Sequence, residues 1–202
     1  MLHAFAMVAA LSVAAPAQLA LSFGFEPRFG GYAAVDPRLT AYDFSPVGTA
    51  VLPVFGVRGR AFLANGLMLG LAMSYGVSSG RQVLPTTSTL TETTVGVGYR
   101  TIYGIFASVD AGFSFLSHSV ASRTGGGALL YPGPVVHPRI GWTWQLFEPF
   151  GWFIAATVGV SLHVPVGAPH RNPLWEEPFR RGVLPAFTMG LESGLGLKEG
   201  GK

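Results

Sequence analysis

Between residues 103 and 115 the chain alternates with a period of two. Tyr103, Ile105, Ala107, Val109, Ala111, Phe113 and Phe115 fall on one face, and Gly104, Phe106, Ser108, Asp110, Gly112 and Ser114 on the other. Period two marks a β-strand with two unlike faces. The pattern recurs in eight segments, and in each the scarce charges fall on the face of small and polar residues. An apolar face on every strand, with polar residues opposite, predicts an all-β fold. The expected architecture is an eight-stranded antiparallel up-and-down transmembrane β-barrel, lipid outside and polar inside.

The predicted strands cover 19–31, 49–63, 67–78, 90–100, 103–117, 135–147, 151–164 and 183–197. These lengths suit a tilted membrane strand of ~9–11 residues with some overhang. Three connections are short. Asn65-Gly66 predicts a type I′ hairpin turn, and turns are also expected at Thr101-Ile102 and Glu148-Pro149. The other four, 32–48, 79–89, 118–134 and 166–182, are long and hold most of the prolines. Short periplasmic turns and long external loops are the usual arrangement in such barrels. An N-terminus on the periplasmic side makes the first, long connection external.

Composition agrees with strands and disagrees with a water-soluble surface. Charged residues make up 11% of the chain, against about 25% in an average globular protein, and the mean hydropathy is +0.42. The 28 Gly and 15 Pro oppose helices. Net charge is +3 with no basic run, so nucleic acid is not an expected partner. Cysteine is absent, which excludes disulfides, thiolate metal sites, a Cys nucleophile and a lipoprotein anchor. Residues 1–17 read as a signal peptide, with an apolar stretch over 4–15 and a small-x-small site at Ala15-Pro16-Ala17. The barrel is expected over 18–197, followed by a polar tail at 198–202, and the compartment is the bacterial outer membrane.

In this alternation and loop rhythm the chain resembles the small eight-stranded bacterial outer-membrane barrels, the group containing the OmpA transmembrane domain and OmpX. The likeness is one of architecture over 18–197. It rests on no sequence motif, so it carries over no functional residue. Those barrels usually end on an aromatic residue that the assembly machinery recognises, whereas the last strand here ends on Leu195-Gly196-Leu197.

The inward charges are the first candidate site: Glu26, Arg28, Arg58, Arg60, Glu92, Arg100, Asp110, Arg139 and Glu192. Five positive and four negative groups nearly cancel, which suggests mutual pairing, since a narrow interior cannot hold unpaired charge. The competing reading is a gated path for a small solute, because many inward glycines leave space that water could fill. Outward aromatics sort by depth. Tyr99, Tyr103, Trp144 and Trp152 lie beside the short turns, and Phe29, Tyr75 and Phe115 near the long loops. Two interfacial girdles are expected.

Other constellations are weaker. His118, His137 and His163 share an inward rim, but no ligand spacing supports a metal, and no cofactor is expected. Ser161 and His163 share the inner face with Asp110 and Glu92. A Ser/His/acid hydrolase needs those groups in hydrogen-bond contact, and facing the membrane if the substrate is lipid. Val95-Gly96-Val97-Gly98 lacks the third glycine of a nucleotide loop. Arg171, Arg180 and Arg181, beside His170, Trp175, Glu176 and Glu177, offer a loop that could hold lipopolysaccharide phosphates. The sequence thus points to a monomeric, non-enzymatic barrel whose partners are outer-membrane lipids, with lipopolysaccharide a candidate. A narrow channel or carrier for small or apolar solutes is the alternative, and a membrane lipid hydrolase the third.

Overall fold

The computed structural model describes residues 16–30, 51–63, 65–81, 85–120, 127–147, 151–166 and 183–198. Among them every regular element is a strand. The strands are β1 (Pro16–Phe25), β2 (Arg28–Gly30), β3 (Val51–Leu52), β4 (Val54–Leu63), β5 (Leu67–Arg81), β6 (Pro85–Arg100), β7 (Ile105–Val120), β8 (Gly127–Phe147), β9 (Trp152–His163) and β10 (Leu184–Lys198).

Two pairs of these are single staves interrupted by proline, which has no N–H to give a ladder. β1 and β2 share one register against β10, from Phe25↔Leu191 to Arg28↔Thr188, across the break at Pro27. β3 and β4 continue one another across Pro53. The result is eight staves, each antiparallel to its neighbours, running β1-β4-β5-β6-β7-β8-β9-β10. The sheet closes where β1 pairs with β10, Gln18↔Lys198 through Phe25↔Leu191. Closure removes the exposed edge, so backbone groups find partners within the sheet.

The faces divide as the alternation requires. Leu21, Phe23, Val95, Ile140 and Leu191 are each more than half exposed. A continuous band of exposed Leu, Val, Ile, Phe and Trp around a closed sheet is a lipid-facing surface, and the barrel is a transmembrane one. Tyr75, Tyr99, Phe115, Trp144 and Trp152 all stand on this surface, and Phe29 is half-buried on it. Trp142 joins them, stacked on Trp144 at 5.1 Å, with its Nε1–H donating to the Tyr103 carbonyl. The Trp152 Nε1–H donates to Ser193 Oγ. An indole with its one polar group satisfied can lie against lipid at low cost.

The turns correct three sequence expectations. Gly66 N–H donates to the Leu63 carbonyl, so Gly66 is the fourth residue of the turn, with φ +86°. That is a three-residue hairpin loop with a left-handed glycine closing it, not a type I′ turn centred on Asn65-Gly66. Asn65 instead accepts from the Leu67 N–H through Oδ1. Between β6 and β7 the same device spans residues 101–104. Gly104, at φ +82°, donates to the Thr101 carbonyl. Tyr103 therefore belongs to the turn, and β7 begins at Ile105 rather than at 103. At the other end the hairpins outrun the predicted strands: β5 and β6 pair out to Arg81↔Pro85, and β7 and β8 to Val120↔Gly127. Ser- and Thr-rich segments pair readily, and outside lipid they need no apolar face. The predicted turn at Glu148-Pro149, the loops 32–48 and 167–182, and residues 1–15 and 199–202 lie outside the described residues.

Candidate functional site

The lumen is built in three layers. Towards the long loops, Leu52, Val54, Leu90, Leu116 and Ala186 form a buried apolar cluster, with Leu184 packed against it. Towards the short turns, Ala20, Phe62, Met68, Phe106, Phe153 and Ala155 form a second. The charges lie between. An eight-stranded barrel is just wide enough for side chains to fill, so an apolar layer at each end restricts the access of bulk water to the middle.

The middle layer is one connected set of four arginines and four carboxylates. Glu92 accepts both arms of the Arg28 guanidinium, Nη1 to Oε2 at 2.8 Å and Nη2 to Oε1 at 2.9 Å. This fork-to-fork geometry is the strongest form of ion pair. Arg28 also donates from Nε to Glu26 at 3.2 Å. Glu26 reaches Arg139 at 3.5 Å, and Arg139 pairs with Asp110. Asp110 faces Arg58, which pairs with Glu192. Glu192 then takes both arms of Arg60 at 2.7 and 3.0 Å. Eight groups from β2, β4, β6, β7, β8, β10 and the β1–β2 break are thus tied together across the barrel.

Glycine makes the room. Across the ladders Glu192 is paired with Gly24, Arg60 with Gly70, Asp110 with Gly96 and Arg139 with Gly159. A Cβ at Gly96 would overlap the Asp110 carboxylate. The space left is small. The cavities beside Arg58 are about 20 and 10 Å³, room for about one water each.

Arg100 is the ninth charge of the sequence set, and the structure holds it apart. Its Nη2 donates to Gln18 Oε1 at 3.1 Å, and its guanidinium lies 3.8 Å over the Phe62 ring. It sits in a vestibule of about 330 Å³ at the short-turn mouth, lined also by Thr143, Gln145 and Phe153. The four carboxylates therefore meet four arginines, and the odd cation is on the wet side of the Phe layer, stacked on an aromatic.

Among the described residues, the contacts of His137 do not have the arrangement of a triad. Glu92 Oε1 and Ser161 Oγ approach the same nitrogen of His137, Nε2, at 2.8 and 3.5 Å. A relay needs the acid on one ring nitrogen and the nucleophile on the other. His163 pairs with Ser114. Ser161 and His163 are fully buried inside the barrel, away from lipid. Among the described residues no group of three His, Asp or Glu could hold a metal ion; the His118 side chain lies outside them.

Sequence reasoning missed the apolar layers. The alternation sets Phe106 inward but gives the interior a polar character, and Leu90, Leu116, Phe62 and Met68 are not among its inward candidates. Their signal is present: each continues the inward parity of its strand.

No protein-family model matches the chain, and no curated protein matches it in sequence. Solved structures do match in fold. The crystal structure of Ail, the attachment invasion locus protein of Yersinia pestis, aligns at a TM-score of 0.58 with 11% identity. That alignment covers 91% of this chain and all of that one. Ail in complex with the heparin analogue sucrose octasulfate aligns at 0.56 with 12% identity, covering 89% and 98%. The N-terminal β-barrel domain of Pseudomonas aeruginosa OprF aligns at 0.45 with 14% identity, covering 90% and 98%.

Proposed function

We propose that this protein is a non-enzymatic outer-membrane barrel, a rigid, closed scaffold that carries external loops at the cell surface. The observation behind this is the three-layered lumen. A channel needs a continuous wet path, and here two apolar clusters flank a charge set in which the described carboxylates and arginines pair off. The hydrolase reading lacks support from the geometry, because Ser161 and Glu92 share one nitrogen of His137. The closed-scaffold reading is tested by inserting the refolded protein into planar bilayers. Silence under applied voltage across several pH values is expected. Stepwise conductance by a preparation that also shows a boiled/unboiled mobility shift overturns it.

Residues 1–17 fit this reading as a signal peptide, whose removal would start the mature chain at Gln18, within β1. The partner reading follows from loop chemistry. Arg171, Arg180 and Arg181 are proposed to meet lipopolysaccharide phosphates; Ail, similar in fold, has been crystallised with a sulfated heparin analogue. Weaker binding to lipopolysaccharide micelles by the variant with all three arginines changed to Ser is expected. Unchanged binding removes the loop from the interface.

A further inference from the structure

We propose that the vestibule at the short-turn mouth is a binding site for a small organic carboxylate, which Arg100 holds by its oxygens while the Phe layer backs its apolar body. The charge count points there first. The four carboxylates of the middle layer meet Arg28, Arg58, Arg60 and Arg139, and among the described residues none of them pairs with Arg100. Arg100 is nevertheless held in place. Its guanidinium lies 3.8 Å from the centre of the Phe62 ring, and its Nη2 donates to Gln18 Oε1 at 3.1 Å. The ring shields one face from water, and Gln18 is neutral, so the charge is positioned without being neutralised. A guanidinium stacked and anchored in this way still has N–H donors on its other edges for a carboxylate. It also has less conformational freedom to lose on binding than a mobile surface arginine.

The cavity in front of Arg100 has the size and the lining for such a ligand. At about 330 Å³ it far exceeds the cavities of about 20 and 10 Å³ beside Arg58. It falls in the range of small-ligand sites, about 300–1,000 Å³. The described side chains around it include no carboxylate. Thr143 and Gln145 of β8 contribute a hydroxyl and an amide, and Phe62 and Phe153 belong to the buried apolar layer that backs the cavity. A single cation, neutral polar walls and an aromatic floor match a monoanion with a flat apolar body. The more highly charged phosphate would leave part of its charge unpaired there. Two carboxylates of the chain itself are an internal source of the same chemistry: Glu148, next after the end of β8, and Glu199, next after the end of β10. Both lie outside the described residues. The site goes beyond the closed-scaffold reading and does not depend on it, since a vestibule that ends at the Phe layer needs no axial path.

The probe is 4-fluorobenzoate, followed by fluorine NMR with the protein refolded in detergent micelles. Arg100→Gln in the same micelles is the blank, because it removes the cation and leaves partition into detergent unchanged. Its folding is checked by the boiled/unboiled mobility shift. A second variant, Gln145→Trp, keeps Arg100 and narrows the vestibule. The wild type is expected to give saturable line broadening that unlabelled benzoate reverses and inorganic phosphate at equal ionic strength does not. Both variants are expected to bind about tenfold or more weakly. Glu148→Gln with Glu199→Gln separates the two sources. Tighter binding by that variant than by the wild type supports the site with a carboxylate of the chain as its resident, and equal binding supports it with a free carboxylate. Absence of saturable binding in both the wild type and the Glu148→Gln, Glu199→Gln variant overturns the proposal. So does binding that Arg100→Gln and Gln145→Trp leave unchanged. Phosphate competing as well as benzoate overturns the carboxylate assignment.

Discussion

Replacing Glu92 with Leu should strand one of the most deeply buried cations of the barrel. Arg28 is 2% exposed, and Glu92 meets both arms of its guanidinium. After the change Arg28 loses its forked partner but keeps the 3.2 Å contact to Glu26, which it shares with Arg139, and a 3.4 Å hydrogen bond from Nη1 to Ser161 Oγ. Removing one partner of a buried pair typically costs about 3–5 kcal/mol. With a urea dependence of about 1–3 kcal/mol per molar, that lowers the unfolding midpoint by roughly 1–5 M. Removing the partner as well should undo much of the loss, because no charge is then left in the low-dielectric lumen. Arg28→Leu with Glu92→Leu is expected to be more stable than Glu92→Leu alone, with a coupling of roughly 1–3 kcal/mol. The assay is urea unfolding in vesicles, followed by tryptophan fluorescence and by the mobility shift of unboiled protein. A double variant that loses the sum of the two single losses would refute the reasoning, since the charges would then be acting independently.

Three further outcomes follow from the same geometry. Val109→Arg, near mid-strand on the lipid face of β7, should cost about 2–4 kcal/mol in vesicle unfolding, and no loss there would place that face in water. Gly104→Val should lower the unfolding midpoint by about 1–3 kcal/mol of strain, because φ is +82° and the new Cβ would run into the Thr143 carbonyl; an unchanged midpoint would mean the turn can be rebuilt. Ser161→Ala should leave the lipid A mass spectrum of expressing cells unchanged, and a mass difference between it and wild type would revive the hydrolase.

The parts of this fold legible in the sequence are those written by alternation. Lipid imposes an apolar residue at every second position, so strand number, facing and hairpin order could be read from residues such as Val95, Val97 and Tyr99 against Thr94, Gly96 and Gly98. The turns were legible as places but not as conformations. Asn-Gly serves more than one hairpin geometry, and which residue takes the positive φ at Gly66 depends on the register of β4 against β5. The outer ends of β5 to β8 were not legible, because beyond the bilayer a strand such as that at Thr86, Thr87 and Ser88 needs no apolar face. The nine inward charges were readable from parity alone. Their partition was not: separating Arg100 from the other eight depends on its height along the barrel axis relative to Phe62, which strand tilt sets and a one-dimensional pattern does not contain.

The apolar layers bear on the charge set as much as on the pore. Ion pairs open to water contribute little, because solvent screens both partners. Leu90 and Leu116 at one end and Phe62, Phe106 and Phe153 at the other keep bulk water from the arginines and carboxylates between them. That makes each pairing stronger, and each unpaired group more costly, than at a surface. Such a core tolerates few alternative registers. Slipping one stave by a residue would turn its charged side chain into lipid and its apolar one into the lumen. The charges thus specify one barrel among many that alternation alone would permit.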